Sequence, residues 1–294
     1  MANLYQQAES NTRRTWMLMI VLMCLIIGLG WLLSYMFESW AILIIAIIWS
    51  LGMNFFAYWY SDKMVLKMMR AKPVTLQSEP ELYRLAENLS IAAGLPMPAL
   101  YVMEESQPNA FATGRDAKHA AVVVTRGLMN KLDKSELEGV IAHELAHIQN
   151  KDILLGTVII VLVGAIAVIS NMAMRMSFYR NNRNENNNPI ILIIGLLGLI
   201  LAPLAAALIK AAVSRKREFL ADASGVLLTR YPEGLAQALA KISDDPNSLD
   251  RANTSNAHLF VASPFRGKQR QSWMIGLFAT HPPIEERIKR LMTK

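Results

Sequence analysis

The sequence predicts an integral membrane α-helical protein carrying a small α+β domain that is split in two by an inserted pair of apolar helices. Three observations lead there. Of 294 residues, 53% are hydrophobic and only 18% are charged, against about 25% charged in an ordinary soluble globule, and mean hydropathy is +0.26. Four apolar stretches are long enough to cross a bilayer as helices, which takes about 20 residues. The polar segments between and after them carry strand-like and helix-like patterning.

The apolar stretches are residues 15–37, 39–60, 153–174 and 189–209, and none contains a charge before its ends. The first is longer than the core of a cleaved signal peptide and is followed at once by the second, so it reads as a retained helix. The chain therefore divides into an N-terminal hairpin (1–62), a first part of the polar domain (63–152), a second apolar hairpin (153–209) and a second part of the polar domain (210–294). Arg13 and Arg14 precede the first stretch, and Lys63, Lys67, Arg70 and Lys72 follow the second, with only Glu38 in the turn between. Positive flanks mark the cytoplasmic side, so both ends of this hairpin and the polar domain are expected there. Arg175, Arg180 and Arg183 after the third stretch oppose a strict reading. They leave open whether stretches three and four cross the bilayer, lie in its interface or pack on protein.

The net charge of +7 raises nucleic-acid binding as a class, but the basic residues sit beside the apolar stretches, where membrane proteins keep them. No nucleic-acid partner is expected. Cys24, the single cysteine, excludes an internal disulfide framework and a cysteine-rich metal cluster.

Within the polar domain, 78–93 reads as a helix, with Pro80 at its start and Gly94 at its end. Residues 99–103 and 120–125 read as strands, and 109–114 as a third short extended piece. Asp133 and Glu136 form a candidate capping box for a helix whose apolar face carries Leu137, Val140, Ile141, Leu145 and Ile148. Residues 181–189 are a polar, low-complexity loop. Helices are expected again at 214–228, 233–242 and 283–292, with 244–280 irregular.

The chemistry concentrates at His143-Glu144-Leu145-Ala146-His147. Residues four apart share a helix face, so both imidazoles can reach one ion while Glu144 stands beside it. That position suits Glu144 to hold and deprotonate a water on the ion, whose pKa a metal lowers from about 15.7 to about 7. The competing reading is a helix with two histidines on a polar stripe. The histidines are expected away from the apolar face, or at its edge. A catalytic zinc takes three protein ligands and keeps one position open. His119, His258, His281 and acidic residues compete for the third place, and the HExxHxxGxxH extension is absent. Glu218 is the attractive choice, on a helix just past the fourth apolar stretch, with Asp222 one turn on to orient a histidine from behind.

Several motifs in fixed order carry a family resemblance: Asn11-Thr12-Arg13-Arg14-Thr15-Trp16, Asn109-Ala110-Phe111-Ala112-Thr113-Gly114, the HELAH pentad, Glu218 with Ala221-Asp222, and Thr280-His281-Pro282-Pro283 followed by Arg287. Together they span nearly the whole chain and resemble the HtpX family of membrane metallopeptidases, related more distantly to CAAX prenyl endopeptidases. The resemblance implies a zincin-like fold of the minigluzincin type. It implies one zinc per chain on His143, His147 and Glu218, with Glu144 as general base. It also implies quality-control cleavage of unfolded or membrane proteins at the bacterial plasma membrane. Asn109, Ala110 and Phe111 correspond to an edge strand that pairs with extended substrate backbone. His281 would stabilise the oxyanion, and Arg287 would pair with Asp222. Lys151 stands where a small residue is expected. Two rivals stay open: a narrow-specificity processing peptidase of the prenyl-protein type, and a non-catalytic membrane adaptor that holds zinc for structure.

Overall fold

The computed structural model describes residues 4–164, 166, 215–247, 260–261 and 282–293. Two helices, α1 (Leu4–Met36) and α2 (Trp40–Trp59), pair as a hairpin. Trp16 stacks on Tyr58 at 5.5 Å at one end, Ser50 Oγ donates to the Met23 carbonyl midway, and Gly30 lies against Ala46 where a Cβ has no room. Both helices are long and apolar enough to cross a membrane. At 1.5 Å per residue, Trp16 to Met36 spans about 30 Å, the thickness of a hydrocarbon core. Trp31, Ile44, Ile45, Ile48 and Phe55 face outward, as lipid-facing side chains do. Cys24 is also exposed on this surface. α1 begins well before the apolar stretch, so its polar leading turns continue the helix beyond the bilayer.

The polar domain follows as α3 (Ser61–Met68), β1 (Lys72–Pro73), α4 (Pro80–Ala93), β2 (Ala99–Met103), β3 (Ala110–Gly114), β4 (Ala120–Thr125), α5 (Arg126–Lys131) and α6 (Lys134–Gln149). Beyond the elbow come α7 (Ile153–Gly164), α8 (Arg215–Thr229), α9 (Pro232–Ser243) and α10 (Ile284–Met292). Strands 99–103 and 120–125 match the sequence reading. They pair in parallel, and the sheet order is β1-β2-β4-β3, with β3 antiparallel to β4 at the edge. α4 starts with Pro80 and stops at Gly94, which takes the left-handed φ of 65° that glycine tolerates. The Asp133–Glu136 capping box forms at the start of α6.

The amphipathic reading of α6 is corrected. Leu137, Val140, Ile141 and Leu145 are buried as expected, but so are Gly139, Ala142, His143, Glu144 and Ala146. The cause is packing on several sides: α4, α8 and α9 contact this helix, and β3 contacts it as well. Gly139 allows α9 to close in, since a Cβ there would meet Leu235 N at 2.8 Å. Gly225 does the same for α8, where a Cβ would meet His143 N at 3.0 Å. Glu136, 1% exposed, receives Lys241 Nζ at 2.7 Å and ties α6 to α9.

α6 and α7 meet at an 84° bend. Lys151 sits in the bend with φ 54°, in the left-handed region that a Cβ disfavours. Asn11 of α1 donates to the Asn150 carbonyl at 3.2 Å in a buried contact, and so ties the first motif of the sequence to this elbow. α7 then packs Leu155, Val158, Ile159 and Leu162 against Met19, Leu22 and Ala57 of the hairpin. Its Ile160 joins Val65, Met69, Met103, Phe111, Val123 and Phe260 in a cluster under the sheet. The third apolar stretch is thus described only for its first part. The fourth stretch, the 181–189 loop, His258, Thr280 and His281 lie outside the described residues.

Candidate metal centre

α6 presents His143 and His147 on one face, and α8 lies across it. Ala221, Ser224 and Gly225 supply the small surface of α8 that allows this approach. The result is three potential ligands from helices parted by the apolar insertion. His143 Nε2 and His147 Nε2 are 3.1 Å apart, and Glu218 lies 3.9 Å from the first and 3.7 Å from the second. One ligand atom from each lies within 4.8 Å of the others.

The backs of both rings are held by carboxylates. His143 Nδ1 meets Asp222 at 3.0 Å, and His147 Nδ1 meets Asp152 at 3.0 Å. An ionised carboxylate can only accept, so each Nδ1 carries a proton, and whenever the imidazole is neutral its Nε2 presents the lone pair. Two such lone pairs 3.1 Å apart repel unless a positive species lies between them. A tetrahedral zinc with bonds of about 2.0–2.1 Å separates its nitrogen ligands by about 3.3 Å. The donor set therefore fits zinc in type and spacing.

Electrostatics favour the same occupant. Glu144, Asp152, Glu218 and Asp222 converge here with the guanidinium groups of Arg287 and Arg217. With Glu144 ionised and both imidazoles neutral, four carboxylates face two guanidinium groups, an excess of negative charge that a bound cation offsets. Burial pushes the Glu144 carboxyl up to about 7, helped by nearby Glu218 and opposed by His147 and the Ala112 N–H bonded to it. Burial lowers His147, but Asp152, Glu218 and Glu144 outweigh it and raise the imidazole. The His147 direction describes a pocket whose carboxylates attract positive charge.

Arg287 is fully buried and anchors the rear wall. Its Nη2 and Nε donate to Asp222 at 2.6 and 2.9 Å, and its Nη1 donates to the Val261 carbonyl at 3.0 Å. Despite its burial, Asp222 is held down to about 2 by this guanidinium and by His143.

Asn109, Ala110 and Phe111 are all buried, backbone included. Thr125 N donates to the Asn109 carbonyl. By the alternation of antiparallel pairing, Ala110, Ala112 and Gly114 then turn their backbone groups to the outer edge of β3. There the Ala110 carbonyl takes the Val261 N–H at 3.1 Å, and the Ala112 N–H reaches the Glu144 carboxylate. His281 and His258 lie outside the described residues. His119 is remote from the histidine pair in its contacts, bonding Asp116 and Arg115 on the surface.

Sequence reasoning missed Asp152, Val261 and the Ala112 N–H. Asp152 had one available signal, a carboxylate five residues after His147 and just past the helix end. Replacing it with Asn should weaken metal affinity by about 10–100-fold, read by competition against a chromogenic chelator, with the fold retained by circular dichroism. Unchanged affinity would show that the contact does not tune the ligand.

Residues 76–294 match the model of peptidase family M48. A protease HtpX homolog from Dictyoglomus thermophilum is 44% identical over 288 residues, covering 98% of this chain and 93% of its own. One from Ralstonia nicotianae is 43% identical over 286 residues, covering 96% of each chain. Among solved structures, S. mikatae Ste24p superposes with a TM-score of 0.52 at 20% identity, covering 95% of this chain and 67% of that one. That likeness speaks for the fold.

Proposed function

Because this chain belongs to peptidase family M48, among its HtpX homologues, it is a membrane metallopeptidase, and we propose that it is a zinc endopeptidase cleaving unfolded or unassembled membrane and other proteins at the cytoplasmic face of a bacterial plasma membrane. The observation that carries the reading is the convergence of His143, His147 and Glu218 within 4.8 Å, with Glu144 buried beside them. These three residues would hold one zinc ion. When bound, zinc supplies Lewis acidity that polarises the scissile carbonyl and makes water acidic near neutral pH.

The protein's own groups do the rest. Glu144 takes a proton from the attacking water at its carboxylate and passes it to the leaving amine. Asp222 and Asp152 keep both imidazoles in the tautomer that faces the ion. The outer edge of β3 takes an extended substrate by strand addition, which reads main chain rather than sequence and so suits varied unfolded segments. An incoming strand at Asn109–Phe111 would displace the Val261 N–H from the Ala110 carbonyl. His281 is kept as the candidate oxyanion donor.

Casein cleavage by the full chain in lipid discs tests the reading. Activity should vanish with a chelator and return with zinc. An inactive zinc-loaded protein would favour the adaptor reading. Cleavage of a prenylated peptide without cleavage of casein would favour a processing peptidase.

A further inference from the structure

α3 follows α2 at Tyr60 without an intervening loop. Its inner face is anchored: Val65 and, just past its end, Met69 are each 1% exposed and pack beneath the sheet. Its outer face is different. Met64 and Met68, one turn apart, are 54% and 40% exposed. Beside them run Lys63 and Lys67, also one turn apart and exposed, with Arg70 and Lys72 beyond. The neighbourhood is aromatic and basic too. Lys63 Nζ lies 5.5 Å over the Tyr60 ring, and the Arg115 guanidinium lies 4.5 Å over Trp59. Asp62 is the one acidic residue within α3.

Distance limits what can meet this face. At 1.5 Å per residue, Met64 and Met68 are at most about 7.5 and 13.5 Å beyond Trp59 along a helix, and the headgroup layer is about 5–7 Å thick on each side of the core, so Met68 reaches that layer only where α3 runs along the bilayer surface. We infer that the outer face of α3 is a seat for anionic phospholipid, with Met64 and Met68 dipping toward the acyl chains and Lys63 and Lys67 engaging headgroup phosphates. Continuity with the membrane hairpin and charge complementarity both select this occupant. A second copy of the chain is disfavoured, since symmetric contact would bring the same lysines together.

The full chain in bilayer discs tests this. With Cys24→Ser as background, a nitroxide is placed at Met64→Cys or Met68→Cys, in discs of phosphatidylcholine with and without phosphatidylglycerol. In the anionic discs the label should collide with oxygen, which partitions into the bilayer, more than with a water-soluble nickel chelate. Separately, Lys63→Gln with Lys67→Gln should lower the enrichment of phosphatidylglycerol around the protein by about fivefold per lysine, while Lys63→Arg with Lys67→Arg keeps it. A label open to the chelate in both disc types overturns the proposal. So does a label shielded from both reagents, which would signify a protein contact, and so does unchanged enrichment in the Gln pair. The labelled proteins keep both lysines, so this arm stands even if the Gln pair folds poorly.

Discussion

Replacing Glu144 with Gln is expected to lower casein cleavage by about 10²–10⁴-fold, the usual contribution of a positioned general base, while zinc content stays at one per chain. Gln keeps the shape of the side chain and removes the charge and the proton-accepting oxygen. Glu144 is 2% exposed, so no bulk water substitutes readily for the lost base. His143, His147 and Glu218 are untouched, which is why metal content measured by elemental analysis should not follow activity. Full activity in Glu144→Gln would refute the proton-transfer role. Loss of zinc together with activity would instead place Glu144 among the ligands.

Arg287→Ala is expected to destabilise the domain by about 3–5 kcal/mol, because removing one partner of a buried ion pair leaves the other charge uncompensated. Arg287 is fully buried and Asp222 is 4% exposed, and the two share bonds of 2.6 and 2.9 Å. Asp222 in turn holds His143, so metal affinity should fall with stability. Lys at this position should not restore either, since an ammonium cannot reproduce the planar two-pronged contact and also reach the Val261 carbonyl. A double variant, Asp222→Asn with Arg287→Met, should cost less than the sum of the single changes, as residues in one network are not additive. The measurement is thermal unfolding of the purified chain in lipid, alongside chelator competition. An Arg287→Ala protein as stable as the parent would show that Asp222 finds another counter-charge.

How much could be read in advance depended on how local each signal was. The 99–103 and 120–125 strands were legible from their apolar and β-branched content, and the α6 capping box because its two members are three residues apart. His143 and His147 were legible as a pair for the same reason. The all-round burial of α6 was not. Its covering helices α8 and α9 are drawn close by Gly225 and Gly139, and a glycine in a sequence does not say what approaches it. Asp152 was missed because it lies beyond the helix, in a bend whose 84° angle and left-handed Lys151 turn it back toward His147. Val261 sits in a stretch with no periodicity to flag it.

By itself the sequence determined the membrane hairpin, the strand and helix types of the domain, and which side chains can share a helix face, because all of these follow from spacings within a few residues. Only the tertiary structure decided that Glu218 stands opposite the histidines, that Asp152 and Asp222 back them, and that Arg287 closes the wall behind. Apart from that of Asp152, those contacts join residues 65 to 144 positions apart. Convergence over such separations is produced by how buried helices pack, and that leaves no period in the chain to read.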